Sequence, residues 1–470
     1  MLEPVIGLEI HLALRTRSKL FCACPADTFG LPPNVGTCPV CLGLPGSLPA
    51  INRQAVEHAL LLSLALNCTV PPQTQFQRKH YYYPDAPKNY QISQYERPIG
   101  EGGALTLPSG ERVGVTRCHL EEDAGRLVHP PYAPYSLVDF NRAGAPLVEL
   151  VTEPELRSPE AAREFLVQIR ALAQALGVSD ANPEEGKMRA DVNVSLRRPG
   201  EPLGVKVEVK NLNSFRSVQR ALEYETRRQR RVLEDGGRVV QSTLGWDEGG
   251  GKTFLLRTKE EAADYRYFPD PDLPPIRIGA EWLAAVAAAM PELPRAKAAR
   301  YAGLGLRAED AGALAQDSGL SSFFDRALAA YRGAPQTLAH WLLGDVTGLL
   351  NANGETLAGS SLSPEHLAGL LALVEDGAIS GKIAKELLPE VIGGAEPVAI
   401  VAARGLAQIS DAGALERLVA QVLDEQPELA ARTRENPKAL NALLGAVMKA
   451  SRGQANPEAA RALLLERLGL

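Results

Sequence analysis

The chain changes character near residue 290, and that break constrains the fold more than any other feature. Ten of the twelve tyrosines, five of the seven histidines and all six cysteines precede residue 270. After about Ala280 the sequence turns rich in Ala and Leu at helical spacing, as in Glu281-Trp-Leu-Ala-Ala-Val-Ala-Ala-Ala-Met290, with Pro291 and Pro294 at the junction. Its 470 residues also exceed the roughly 250–300 at which a single core stops growing. These features predict an α+β first domain over residues 1–290 and an all-α domain over 291–405. A second seam near Gly405 sets off a small helical piece over 406–470, whose charges nearly balance.

The first part reads mainly as antiparallel strands. In Val5-Ile-Gly-Leu-Glu-Ile-His-Leu-Ala-Leu14 every even position from Ile6 is apolar, while Glu9 and His11 share the odd face. The pattern recurs in Met188-Arg-Ala-Asp-Val-Asn-Val-Ser-Leu196, and Val205, Val207 and Val209 then alternate with Lys206, Glu208 and Lys210. The Pro/Gly-containing loop between these runs predicts a hairpin. A basic helix is expected from about Val218 to Leu233, with Arg227, Arg228, Arg230 and Arg231 in its last turns. Those cations complement the helix dipole or meet phosphates, and the sequence leaves both open.

With Lys+Arg at 50 against Asp+Glu at 56, the formal charge is −6. No whole-molecule basic field exists, so any nucleic-acid contact must be local. No apolar run approaches the roughly 18 residues of a membrane span, and Glu3 and Glu9 stand where a secretory signal needs a basic then apolar segment. A cytoplasmic protein without a membrane partner is expected.

Cys22-Ala-Cys24 and Cys38-Pro-Val-Cys41 supply two thiol pairs on one loop, a set that suits tetrahedral zinc. All four positions would be filled by protein, so the expected role is structural; reduced, non-ligating thiols are the alternative. Cys68 and Cys118 lack such spacing and read as buried small apolar residues. Glu9, His11, His119-Leu-Glu-Glu-Asp-Ala-Gly125 and Glu149 gather acids around histidine, and Glu149 is flanked by apolar residues on both sides. A carboxylate there needs a partner. Together they suggest an oxygen-rich Mg²⁺ site completed by substrate phosphates, against the plainer reading of strand-edge salt bridges. Gly249-Gly-Gly-Lys-Thr253 imitates a phosphate-binding loop, but Trp246 stands where the motif needs Gly and Phe254-Leu-Leu-Arg257 reads as strand, so a hairpin turn is expected. The run from Arg78 to Tyr95 mixes cations, rings and amides and could line a polar passage, stack an RNA end, or simply pack on the core.

Taken with Asp139-Phe-Asn-Arg-Ala-Gly144, Lys210-Asn-Leu-Asn-Ser-Phe215, Asp264-Tyr-Arg-Tyr-Phe-Pro-Asp270 and Lys449-Ala-Ser-Arg-Gly-Gln-Ala-Asn456, these segments closely resemble the B-subunit family of aspartyl/glutamyl-tRNA(Asn/Gln) amidotransferases. The resemblance runs in order along nearly the whole chain. It implies a cradle-like catalytic domain, a helical domain and a YqeY-like tail that grips tRNA, with Lys449 and Arg452 as tRNA contacts. The implied activity is that of a ligase forming carbon–nitrogen bonds with glutamine as amido donor. ATP phosphorylates the side-chain carboxylate of misacylated Glu-tRNA(Gln) or Asp-tRNA(Asn), and ammonia displaces the phosphate. Carried over residue by residue, Glu9, His11, Glu122 and Glu149 match the Mg²⁺ and catalytic positions, Glu121 and Asp191 are nearby candidates, and Lys79 and Lys88 match polar positions of an ammonia tunnel.

The implied partners are a glutaminase A subunit and a small C subunit in a heterotrimer, and the resemblance admits an aminoacyl-tRNA synthetase as well. Some family members lack the four cysteines, which accords with a structural role for zinc. The loop Ala181-Asn-Pro-Glu-Glu-Gly186 departs from the family pattern at Asn182 and Pro183. A non-catalytic tRNA-binding scaffold is the alternative; it would not need the acids on exposed strand faces.

Overall fold

The computed structural model describes residues 2–258, 265–406, 412–436, 439–451 and 454–470. They form two compact units, Met1–Pro294 and Arg295–Leu470. An eight-stranded sheet organises the first. Its strands are β1 (Glu3–Ala13), β2 (Gly100–Thr106), β3 (Arg112–Glu122), β4 (Pro146–Thr152), β5 (Met188–Arg197), β6 (Val207–Lys210), β7 (Ser242–Asp247) and β8 (Lys252–Thr258). In space the order is β8-β7-β6-β5-β1-β4-β3-β2. Neighbours run antiparallel except β6 and β7, whose parallel pairing sets Val207 opposite Ser242. A parallel pair needs a crossover, and the helix α3 described below supplies it.

Strand β1 lies in mid-sheet because it is apolar enough to be covered. Ile6, Leu8, Ile10 and Leu12 are each 0–1% exposed. Burying four such side chains is worth on the order of 6–12 kcal/mol, and a one-residue slip would turn all of them to the wrong face. The register that places Glu9 and His11 is therefore fixed by the residues between them.

Helices pack onto this sheet and share its core, three of them long. Helix α1 (Arg53–Ala65) starts where the Asn52 side chain accepts from Ala55 N–H. Helix α2 (Pro159–Ala175) begins with a Ser158 cap and a proline in its first turn, and α3 (Phe215–Glu234) with a Ser214 cap. Buried residues of β1, β5, α1, α2 and α3 join one apolar cluster. The hairpin predicted after Met188 is present, with Val192 opposite Val209. The phosphate-loop look-alike is the β7–β8 turn, where Gly250 N–H reaches the Asp247 carboxylate. A small sheet of Gln77–His80, Tyr90–Ser93 and Phe268–Pro269 packs beside the end of β3.

The second unit is helical and has two separate apolar clusters, one from Tyr301 to Val401 and one from Leu415 to Leu468. No helix among the described residues is long and apolar enough to cross a membrane.

Candidate active site

Four polar side chains stand in one row across four strands. His119 of β3 lies opposite Glu149 of β4, Glu149 opposite His11 of β1, and His11 opposite Arg189 of β5. Directly opposed residues hold their Cβ atoms about 4.5–5.5 Å apart, so the row needs no loop to assemble it. The Glu149 carboxylate lies 3.3 Å from His119 Nε2 and 3.8 Å from His11 Nε2. Two residues along β3 on the same face, Glu121 completes a buried group with His119 and Glu149, whose ligand atoms all lie within 4.8 Å of one another.

Charge is arranged to keep Glu149 ionised. Burial would raise its pKa, but His119, His11 and Lys79 hold it well below the usual carboxylate range. Lys79 is the converse case. Its burial favours the neutral amine, yet the carboxylates of Glu121, 3.1 Å away, and Glu149 push its pKa above the ordinary lysine range. Its ammonium form is thus favoured. At the far end of the row, Arg189 is fixed by Asp123, whose two oxygens each accept from its Nη2 at 2.9 Å.

The structure does not bring all the expected residues together. Glu9 accepts from Asn193 Nδ2 at 2.9 Å, and Asp191 receives Lys210 Nζ at 2.6 Å, both two residues along their strands from the row. Glu122 points to the other face of β3, as the strand's period of two requires. There it pairs with Lys88 and accepts from Ile92 N–H at 2.8 Å. The two lysines therefore serve two successive carboxylates on opposite faces, Lys79 with Glu121 and Lys88 with Glu122. Gln91 bridges them, donating to Glu121 Oε1 at 3.1 Å and to the Glu122 carbonyl at 2.9 Å. Arg189 and Gln91 had no assigned role in the sequence, and His119 entered only as part of the acid–histidine group. His119 could have been found from its spacing of two before Glu121; the partners of Arg189 depend on register.

The donor set of His119, Glu121 and Glu149 fits a hard divalent cation. It offers two carboxylates, and His119 Nδ1 is buried with no hydrogen-bond partner among the described residues. The four cysteines fit a tetrahedral metal better still. Their sulfurs lie within 4.8 Å of one another, and Cys38 and Cys41 are 3.9 Å apart; zinc–sulfur bonds of ~2.3 Å give a tetrahedral edge of ~3.8 Å. A hydrogen bond from Cys22 pulls the Cys41 pKa down to about 4 against the effect of burial, with the Cys38 backbone and Lys19 assisting. The fully buried Lys19 donates to Gly36 O at 2.8 Å and to Cys41 Sγ at 3.6 Å. Cys68 and Cys118 are buried and separate from this cluster.

A family model described as the GatB/GatE catalytic domain matches residues 4–284, the segment that carries the row of side chains and the cysteine loop described above. The chain belongs to the GatB/GatE family. A second model, the GatB domain, matches residues 322–468. The B subunit of the aspartyl/glutamyl-tRNA(Asn/Gln) amidotransferase of Thermus thermophilus is 58% identical over 472 residues, covering all of both chains. Its counterpart from Deinococcus radiodurans is 55% identical over 476 residues, covering 100% of this chain and 99% of its own. That of Moorella thermoacetica is 52% identical over 475 residues and 99% of each chain. In the family's second segment, Lys449 is exposed in the last turn of the helix Leu440–Ala450. Arg452, its expected companion, lies outside the described residues.

Proposed function

We propose that the chain is the B subunit of a cytoplasmic, tRNA-dependent amidotransferase acting on Glu-tRNA(Gln), Asp-tRNA(Asn) or both. The observation that carries the reading is the buried His119–Glu121–Glu149 group set in register with His11. A carboxylate resists ammonia because its leaving group would be oxide. Transfer of the γ-phosphoryl group of ATP to the side-chain carboxylate breaks the bond to ADP and forms an acyl phosphate. Ammonia then attacks the acyl carbon, phosphate departs, and one proton is lost as the amide forms. Mg²⁺ held by Glu149, Glu121 and His119 would supply charge neutralisation for the transferring phosphoryl group.

The other side chains hold that site. His11 and His119 fix the Glu149 carboxylate between them. Asp123 orients Arg189 at the end of the row. Lys79 neutralises Glu121 without taking up a proton. The pairs Lys79–Glu121 and Lys88–Glu122 offer polar walls for the passage of ammonia. Its source is glutamine hydrolysed on a partner, the A subunit, with a small C subunit bracing the pair. Cys22, Cys24, Cys38 and Cys41 hold structural zinc, leaving no open position for substrate. The tail, through Lys449 and Arg452, grips tRNA.

The test is Glu149→Gln in the assembled enzyme, with ammonium supplied in place of glutamine and misacylated tRNA binding matched to wild type. Amide formation and tRNA-dependent ADP release are expected to fall together by about 10²–10³-fold. Unchanged amide formation would leave a tRNA-binding scaffold as the reading.

A further inference from the structure

The cysteine loop and the Lys88–Glu122 pair share a wall. Gly43, two residues past Cys41, has a φ of +67°, and a Cβ there would penetrate the Lys88 stem at Cγ. Its backbone therefore lies directly on that side chain, an approach only glycine permits. On the other side Gly144, with φ of +83°, separates Cys41 from Glu122. A Cβ there would stand 3.2 Å from Cys41 Cβ and 3.8 Å from Glu122 Oε2. Leu20 N–H donates to the Gly144 carbonyl and Gly144 N–H to that of Asp123, tying this spacer to both the loop and the end of β3. A cavity of about 70 Å³ lined by Cys22, Cys41, Gly43, Lys88, Glu122 and Gly144 adjoins the pair. It is large enough for water, and Lys88 is held on Glu122 by their ion pair on one side and by the Gly43 backbone on the other.

We infer that the cysteine loop positions Lys88 on Glu122 through Gly43, so that metal binding at Cys22, Cys24, Cys38 and Cys41 and the seating of Lys88 are thermodynamically linked. The inference rests on the four-cysteine site and is independent of the amidotransferase reading; only the use of the pair by ammonia depends on that reading. Residues distant from the chemistry in sequence thereby become positioning residues. Without metal the loop relaxes, Gly43 withdraws and the lysine gains access to solvent. Linkage makes the effect reciprocal: whatever metal does for the seating of Lys88, the seated stem does for metal affinity.

Two measurements on the full-length chain test this without recourse to activity. Amine labelling by a succinimidyl ester is quantified at each lysine by mass spectrometry, with zinc bound and after removal by chelator. The Lys88 side chain is only 8% exposed, and its labelling is expected to rise at least about tenfold on metal removal, while Lys79, on the other face of β3, stays within about twofold. No change at Lys88, or an equal rise at Lys79, overturns the inference. The second measurement compares zinc affinity in Lys88→Met/Glu122→Gln and Lys88→Ala/Glu122→Gln by competition with a chromogenic chelator. Both remove the charges, but only methionine keeps the stem beneath Gly43. The alanine pair is expected to bind zinc about fivefold or more weakly than the methionine pair. Equal affinities overturn the inference, as does a chain that binds no zinc, and neither result touches the proposed activity.

Discussion

Replacing Asp123 with Asn keeps the shape of the side chain and removes the charge that holds Arg189 in the row. Asp123 is buried, and accepts from Arg189 Nη2 at 2.9 Å on each oxygen with Arg142 Nε 3.4 Å away. Breaking a fully buried pair costs about 3–5 kcal/mol. Here the Arg189 side chain retains 39% exposure, so water recovers part of the loss and about 2–3 kcal/mol is expected. At ~2.1 cal/mol/K of unfolding entropy per residue, a unit spanning Met1–Pro294 changes by about 0.6 kcal/mol/K. The melting temperature of that unit should therefore drop by about 3–5 °C at neutral pH, read by scanning calorimetry. The pH dependence carries the sign. Burial raises the Asp123 pKa, but Arg189 and Arg142 outweigh it and hold the group below the usual range. Its contribution is then present above the unfolded pKa of about 3.9 and lost as pH falls through the lower folded value. The gap between wild type and variant should close below pH ~4. A drop under 1 °C at neutral pH, or a gap that persists in acid, would refute the reasoning.

Other outcomes follow from the same geometry. Because the folded pKa of Lys79 is raised, its contribution to stability is complete below the unfolded value and lost only as pH rises past the folded one; ¹⁵N spectra of the lysine amine should show no titration of Lys79 below pH ~10.4. Burial pushes the thiol of Cys68 up to about 11 and that of Cys118 up to about 12. Maleimide at neutral pH should therefore leave these two intact in the chelator-treated native protein and modify Cys41, whose thiol is pulled down to about 4, and bound zinc should abolish that modification. Lys449→Glu should weaken tRNA binding several-fold and lower the slope of log affinity against log salt by about one to two, without altering melting.

What was legible in the sequence is what depends on local period. The alternation from Val5 to Leu14 locates the central strand, and Met188–Leu196 with Val205–Val209 locates the hairpin, because side chains two apart share a face wherever a strand forms. The boundary in composition near residue 290 lies close to the end of the first unit at Pro294. Register was not legible. Nothing in Pro146–Thr152 says that Glu149 will fall between His11 and His119, since the pairing with His11 spans more than a hundred residues. Adjacent acids are likewise ambiguous. Of Glu121 and Glu122, resemblance puts Glu122 first, but the pleat sends only one of them toward Glu149, and the structure places Glu121 there. Arg189 carries no signal of its own because its meaning comes from Asp123, which lies just beyond the strand end.

The place of β1 in mid-sheet has a consequence for how the chain is made. It leaves the ribosome long before its partners, Pro146–Thr152 and Met188–Arg197. At 5–20 residues per second, on the order of 10–40 s pass before the second of those partners has been synthesised. For about the first 7–28 s, until Thr152 is made, one of the most apolar segments of the unit has no ladder to join, and one of its edges stays open until Arg197. Nascent chains should therefore depend on chaperoning over that segment, and slowing translation before Arg197 should cost more soluble protein than slowing it afterwards.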